Sequence, residues 1–190
     1  SIQMKAIVYS QNLAATDPQS LYDTELPTPT PGDNDLLVAV KAVSVNPVDT
    51  KIRRNVDPQG QPRVLGWDAA GVVVAVGSAV RAFKAGDEVW YAGAIDRPGS
   101  NSEFQLVDQR IVSHKPKSLS FSQAAALPLT AITAWELLFD RLELNEHNSK
   151  AKSLLVIGAA GGVGSVLLQL ARQKTQLKII ATASRPETRE

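Results

Sequence analysis

The sequence contains no cysteine and only two histidines among its 190 residues. Without cysteine, the chain forms neither a disulfide nor a thiolate metal site. His114 and His147 have no second ligand at metal-binding spacing, whereas a catalytic zinc needs about three protein ligands. We therefore expect both histidines to lie at the surface, and we expect the protein to bind no metal.

An excess of one charge and a long apolar run are also lacking. The formal net charge is +1, which provides no long-range field to attract nucleic acid or an anionic membrane. No apolar run reaches the ~18 residues that a membrane span needs, and the start of the chain shows no signal-peptide pattern. These absences favour a cytoplasmic protein that binds neither nucleic acid nor membranes.

The first part of the chain, up to about residue 120, has the pattern of short β-strands. Val-rich segments alternate with clusters of Pro, Gly, Asn and Asp, and their regular spacing predicts an antiparallel, barrel-like domain. Pro47 favours one short helix, over 47–55. The predicted strands are 4–9, 36–45, 71–77, 87–92 and 103–108.

The pattern changes after residue 120. The segment 120–142 is rich in Ala and Leu at helical spacing, and Pro128 is expected to break or kink it. An apolar strand over 153–159, an amphipathic helix over 163–174 and a second strand over 178–183 follow. This order predicts a βαβ unit, so the predicted fold class is mixed α and β.

The glycine run "GAAGGVG" joins the first of these strands to the helix. Its small residues have the G-x-G-x-x-G spacing of a dinucleotide site, with Ala in place of the first glycine. The N–H groups of the first helical turn would then point at the phosphates. A tight turn without a ligand is the alternative, but the flanking strands and helix favour a cofactor. The candidate cofactor residues are Ala159, Gly161, Gly162, Val163 and Gly164.

The end of the second strand bears on the choice of cofactor. An NAD site usually places Asp or Glu there to hold the ribose hydroxyls. This chain has Ala183, followed by Ser184 and Arg185, which removes repulsion against a 2′-phosphate and adds a hydroxyl and a cation. The pattern therefore predicts NADPH, with a solvated turn at Arg185 as the alternative.

Several blocks of the sequence together resemble the medium-chain dehydrogenase/reductase superfamily, and within it the zinc-free quinone oxidoreductases and related enone reductases. The resemblance implies a GroES-like β-barrel catalytic domain over 1–125. The first βαβ part of a Rossmann domain would follow over 126–190, so the chain would cover only the first part of a longer, homodimeric protein. The blocks are "MKAIVY", "SVNPVDTKIR", "LGWDAAGVVVAVGSAV", "AGDEVW", "AAALPLTAITAWELL" and "GAAGGVG".

The resemblance also implies roles for four residues. Zinc alcohol dehydrogenases have Cys where this chain has Asn46 and His where it has Trp67, so Asn46 and Asp49 would lie beside the nicotinamide and the substrate without a metal. Trp67 would line the pocket, and Thr133 would lie near the nicotinamide. The alternatives are an Asx turn at Asn46, a helix cap at Asp49, core packing of Trp67 and an ordinary helical Thr133.

The resemblance implies an NADPH-dependent oxidoreductase that reduces quinones or α,β-unsaturated carbonyls by hydride transfer, without zinc. A non-catalytic homologue that binds or senses a nucleotide is the alternative, because the sequence shows no strong acid/base pair.

Overall fold

The computed structural model describes residues 2–128, 134, 136–150, 152–156 and 162–181. The chain divides into two compact units, Ser1–Pro128 and Leu129–Glu190, which we call unit 1 and unit 2. The predicted domain limits, 1–125 and 126–190, place the boundary three residues earlier. Their assignment as two functional domains stays a prediction.

Unit 1 consists mainly of antiparallel strands, as predicted. Five of them form a sheet in the order β7-β3-β5-β6-β8, and three form a second sheet in the order β2-β1-β4. An isolated bridge between Ala6 and Ser102 links β1 to the residues just before β7. The strands are β1 (Gln3–Tyr9), β2 (Tyr22–Pro27), β3 (Asp35–Ser44), β4 (Arg63–Val64), β5 (Asp68–Val76), β6 (Glu88–Ala92), β7 (Phe104–Asp108) and β8 (Val112–His114).

β-branched residues of the five-stranded sheet form the core of unit 1. Branched side chains pack well on a pleated surface, and Val38, Val73 and Val89 are almost completely buried there. Leu36 and Val38 lie two residues apart on β3, so the alternation of the strand places both in the same core cluster. The predicted strand alternation therefore gives the main apolar core of this unit.

Three strands were not predicted, and β2 shows why. Its sequence YDTELP alternates half-buried and exposed residues against β1. Asp, Glu and Pro are depleted in strands, but at an edge their side chains face water while Tyr22 and Leu26 pack on the other side. The strands β4 and β8 have only two and three residues, which is too short to give a periodic signal.

The helices of unit 1 begin and end at recognisable signals. The helix α1 (Pro47–Asn55) occupies the predicted range. The helix α2 (Phe121–Ala125) begins at a capping box in which Ser120 and Gln123 bond reciprocally. It ends before Pro128, as expected from the predicted break, and the later segment Glu136–Arg141 is π-helical rather than α-helical. No described helix is both long and apolar enough to span a bilayer.

Unit 2 contains the predicted strand–helix–strand unit. The strands β9 (Ser153–Val156) and β10 (Lys178–Ala181) pair in parallel, and the helix α3 (Gly162–Lys174) connects them in sequence. The remaining residues of the predicted strands, 157–159 and 182–183, lie outside the described residues. A core cluster in this unit contains Ala134, Leu138, Leu167 and Ala171.

Candidate functional site

The candidate site begins where β3 leads into α1. Asn46 is the residue before the helix, with an extended backbone (φ −124°, ψ 161°), and Pro47 is the first helical residue. Pro is suited to this position because its missing N–H would have no partner in the first turn. The Nδ2 atom of Asn46 is buried and has no hydrogen-bond partner among the described residues.

Asp49 closes the same turn. Its Oδ2 accepts a hydrogen bond of 2.7 Å from the Asn46 N–H, and its own N–H donates to the Asn46 carbonyl oxygen at 2.9 Å. The alternative role of Asp49 as a helix cap is therefore realised. This role uses only one carboxylate oxygen, because the buried Oδ1 has no hydrogen-bond partner in the part of the chain that the structure describes.

The carboxyl group of Asp49 lies in an environment that opposes its ionisation. The residue is only 6% exposed, and burial raises its pKa above the ordinary value of 3.8. The N–H groups of Asn46, Gly66 and Asp49 itself favour the charged form, but their effect is smaller. Among the described residues, no cationic side chain compensates for the burial, so the neutral form is favoured over a wider pH range than for an ordinary Asp.

Trp67 is part of the core beneath α1. Its side chain is 2% exposed and packs with Tyr9, Ile52 and Leu65, and Val48 lies against the same cluster. This position realises the alternative of core packing, while the predicted catalytic role of Trp67 stays a prediction. The indole Nε1 is buried and has no hydrogen-bond partner within residues 2–128.

The C-terminal end of α1 is fixed by the beginning of the chain. The Tyr9 hydroxyl donates to the carbonyl oxygen of Val56 at 2.9 Å. The side-chain amide of Asn12 donates to the carbonyl oxygens of Arg53 and Val56 at 2.8 and 2.9 Å. The last carbonyl groups of a helix have no partners within it, so these bonds hold α1, and with it the Asn46 turn, against unit 1.

Ser100 is a residue of this region that the sequence analysis missed. The N–H groups of residues 99–101 donate to carbonyl oxygens of residues 64–66 at 2.9–3.0 Å. The Ser100 side chain is buried, and its Oγ occupies the space that a Cβ at Gly66 would need. Gly66 has φ +100°, which glycine adopts without steric cost. The Ser100 Oγ has no hydrogen-bond partner among the described residues.

The predicted cofactor residues are only partly described. Gly162, Val163 and Gly164 form the first turn of α3, which follows β9 in sequence. A helix that begins after a parallel strand is the arrangement that binds a pyrophosphate, so these residues fit a dinucleotide. Five other predicted residues lie outside the described part of the chain: Thr133, Ala159, Gly161, Ser184 and Arg185.

In this chain, the residues at the positions where zinc alcohol dehydrogenases bind their metal do not fit a zinc ion. Asn46 and Trp67 provide an amide and an indole where a thiolate and an imidazole would be needed. His114 and His147 are exposed, as predicted, and His114 stacks on Phe83 with 4.6 Å between ring centroids. No cluster of three His, Asp or Glu residues suited to a metal occurs in the described ranges.

A cavity of about 600 Å³ lies in another part of unit 1. Its walls come from the β1–β2 hairpin, the segment 96–99 and β7, and include Met4, Leu26 and Phe104. None of Asn46, Asp49 and Trp67 lines it. The cavity is therefore separate from the candidate site at the start of α1.

Comparison with known proteins identifies the family. Residues 32–117 match the alcohol dehydrogenase GroES-like domain family. A zinc-type alcohol dehydrogenase-like protein of Staphylococcus aureus (strain COL) is 48% identical over 164 residues, which are 85% of this chain and 49% of that protein. The chain thus spans about half the length of the curated relatives it matches.

Two solved structures are similar to the chain as well. A protein of Rhizobium etli CFN 42, provisionally named a zinc-dependent alcohol dehydrogenase, is 57% identical with a TM-score of 0.92, over 98% of this chain and 55% of that one. The Escherichia coli quinone oxidoreductase complexed with NADPH is 32% identical with a TM-score of 0.78, over 96% and 53%. The chain contains an alcohol dehydrogenase GroES-like domain and belongs to the medium-chain dehydrogenase/reductase superfamily, as its sequence blocks predicted.

Proposed function

We propose that the protein is an NADPH-dependent oxidoreductase that reduces quinones or α,β-unsaturated carbonyls without zinc. The observation that carries this proposal is the free Nδ2 group of Asn46. It is a hydrogen-bond donor at the position where zinc alcohol dehydrogenases hold a metal ligand, and it is suited to polarising a substrate carbonyl. Similarity to a quinone oxidoreductase that binds NADPH supports the same reaction class.

The cofactor would be held by unit 2. The N–H groups of Gly162, Val163 and Gly164 would bind the pyrophosphate at the beginning of α3, and Ser184 and Arg185 would bind the 2′-phosphate. When bound, NADPH supplies a hydride, which is the difficult part of the chemistry. Thr133 would contact the nicotinamide, as the resemblance implies.

The residues of α1 would orient and polarise the substrate. Asn46 would donate its free N–H to the substrate oxygen on which negative charge develops. Asp49 would hold the turn in place, because its Oδ2 already accepts the Asn46 N–H. A preorganised donor of this kind lowers the barrier because it does not have to reorient during the reaction.

The alternative function is a non-catalytic protein that binds or senses a nucleotide. One observation favours it. The Asp49 Oδ2 accepts the Asn46 N–H as a helix cap, and this structural role requires no catalysis. We also propose that the protein acts in the cytoplasm as a homodimer on small molecules.

NADPH oxidation with a panel of quinones and enones separates the two functions. We expect the full-length enzyme to turn over at least one of them. Replacing Asn46 by Ala should lower kcat/KM about tenfold or more, because a hydrogen bond to developing charge is lost. Asn34→Ala is the matched control, since Asn34 is an exposed asparagine in a distant turn. Equal kinetics for the two variants would refute the role of Asn46, and NADPH binding without turnover would support the alternative function.

The cofactor preference is tested independently. Removing the Arg185 side chain should weaken NADPH binding about tenfold or more while sparing NADH, because a charge-assisted contact of roughly 1.5–3 kcal/mol is lost. Arg172→Ala, which removes an exposed charge from α3, is the control. If calorimetry gives the same NADPH/NADH affinity ratio for both variants, Arg185 does not select the cofactor.

A further inference from the structure

Two side chains near the beginning of the chain hold the C-terminal end of α1. The side-chain amide of Asn12 donates to the carbonyl oxygens of Arg53 and Val56 at 2.8 and 2.9 Å. The Tyr9 hydroxyl donates to the same Val56 oxygen, also at 2.9 Å. Since the last carbonyl groups of a helix have no partners within it, these donors bind α1 where it is otherwise least restrained.

A hydrogen bond in the reverse direction comes from Arg53. Its guanidinium donates to the Leu13 carbonyl oxygen at 2.8 Å, although the residue is only 7% exposed. Lys51 and Arg54 on the same helix are exposed, as is usual for charged side chains. Burying a charge is costly unless hydrogen bonds compensate, so Arg53 serves to attach the segment around Leu13 to α1. Each of the two segments thus donates to carbonyl groups of the other.

Asn12 contributes hydrogen bonds to this attachment but little apolar packing. It is exposed, whereas Tyr9 is completely buried and packs with Ile52 and Trp67. The amide nitrogen of an asparagine carries two N–H groups, one for each of the two carbonyl oxygens that Asn12 binds. Removing this side chain should therefore loosen α1 while the apolar core beneath the helix stays packed.

The helix α1 connects this attachment to Asn46. Asn46 directly precedes its first residue, and Val56 directly follows its last. The nine residues of α1 span about 13 Å. Because the backbone hydrogen bonds make so short a helix move as one body, a tilt of about 5° at its C-terminal end displaces the Asn46 end by about 1 Å over this length. A misplacement of about 1 Å can lower a rate about a hundredfold.

We propose that Asn12 is a positioning residue of the site at the start of α1, and that it acts through the helix on the Asn46 side-chain amide. This inference rests on the proposed function, in which the Asn46 Nδ2 donates to the substrate oxygen. The Nδ2 atom has no hydrogen-bond partner of its own in the part of the chain that the structure describes, so its placement depends on the position of α1. Asn12 contributes to the reaction by keeping α1 in the orientation that preorganises this donor.

The attachment of α1 is measurable without any substrate, on the full-length protein. Hydrogen–deuterium exchange with mass spectrometry follows the backbone amides of residues 48–56. We expect Asn12→Ala to speed their exchange about fivefold, because two hydrogen bonds to the helix are lost. Gln11→Ala is the matched control, since Gln11 is the exposed neighbour of Asn12. Equal exchange of α1 in the two variants would overturn the role of Asn12.

The effect on turnover is measured on the full-length enzyme with NADPH and the best quinone or enone. Asn12→Ala should lower kcat about tenfold with little change in KM, as expected when a donor to developing charge is misplaced. In the Asn46→Ala background the same substitution should change kcat less than about twofold, because the donor that Asn12 positions is already absent. Gln11→Ala should leave kcat unchanged in both backgrounds.

The comparison of the two backgrounds separates positioning from a general structural effect. Equal losses from Asn12→Ala in both backgrounds, or no loss in either, would overturn the positioning role. A wild-type enzyme that reduces none of the substrates would overturn the proposed function, and with it the positioning role, whereas the exchange measurement would still report whether Asn12 restrains α1.

Discussion

The two ends of β3 carry acidic residues in opposite situations. At its beginning, the Asp35 carboxylate binds Arg97 through two hydrogen bonds of 2.8 and 3.0 Å and also accepts the Gly32 N–H. Beyond its end, the Asp49 carboxyl has one hydrogen-bonded oxygen and one without a partner. The Arg97 contact lowers the pKa of Asp35, whereas burial raises that of Asp49.

This difference separates structural from functional polar groups. A carboxylate whose oxygens are fully used, such as that of Asp35, fixes one loop against another and has nothing left for a ligand. A carboxyl and an amide that remain partly unused, as at Asp49 and Asn46, are maintained at a cost by the surrounding fold. Such groups are expected where a ligand completes the hydrogen bonds.

The largest expected effect on stability lies at the Asp35 end of β3. Replacing Gly77 by Ala should destabilise unit 1 by about 3 kcal/mol, because the carbonyl oxygens of Gly32 and Asp33 occupy the space of the new Cβ. Gly60→Ala is the control. It has open space but φ +73°, so only strain of about 1 kcal/mol is expected. Urea denaturation followed by tryptophan fluorescence measures both, and equal losses would mean that the close approach at Gly77 contributes nothing.

A smaller effect is expected from Arg97→Ala. The folded-state pKa of Asp35 is lowered, so its stabilising contribution is present above the ordinary value of 3.8 and is lost as the pH falls through the folded-state pKa. The variant should therefore lose about 1 kcal/mol at neutral pH, as expected for a partly exposed pair, and this loss should shrink in acid. Unfolding free energies at several pH values test this. A loss that is independent of pH would show that Arg97 acts by packing rather than by charge.

The smallest expected effect is a gain in stability, and it comes from Asp49→Asn. The folded-state pKa of Asp49 is raised, so its contribution to stability is fully present below 3.8 and is lost as the pH rises through the folded-state pKa. Asp49→Asn stays neutral and should be more stable than the wild type at neutral pH by up to about 1 kcal/mol. The two proteins should converge in acid. A variant less stable than the wild type at neutral pH would show that the carboxylate is structural, like that of Asp35.

The sequence predicted the helices and strands that depend on periodicity and on turn residues. The Val-rich alternation of β3 and the Asn-Pro start of α1 were both visible, and the glycine run correctly indicated the start of α3. In each case the local preference of the residues agrees with the fold, so a short window of sequence is sufficient to predict the element.

The remaining features depend on contacts between distant segments. Ser100 lies in "RPGSNSEF", which has the composition of an ordinary loop, and its burial against Gly66 depends on a residue that is far away in sequence. β2 was missed because its acidic residues match a turn better than a strand. Its pairing with β1 depends on the partner strand, since strand preferences vary strongly with context.

The clamping of α1 by Tyr9 and Asn12 has a consequence for biosynthesis. A helix of nine residues is too short to persist alone in water, so α1 must wait for its long-range partners. These lie on both sides of it in the chain, with Tyr9 before it and Trp67 after it. When the ribosome has made the chain up to residue 60, Asn46 and Asp49 are already present, but the core that packs against α1 is complete only after Trp67 has left the exit tunnel.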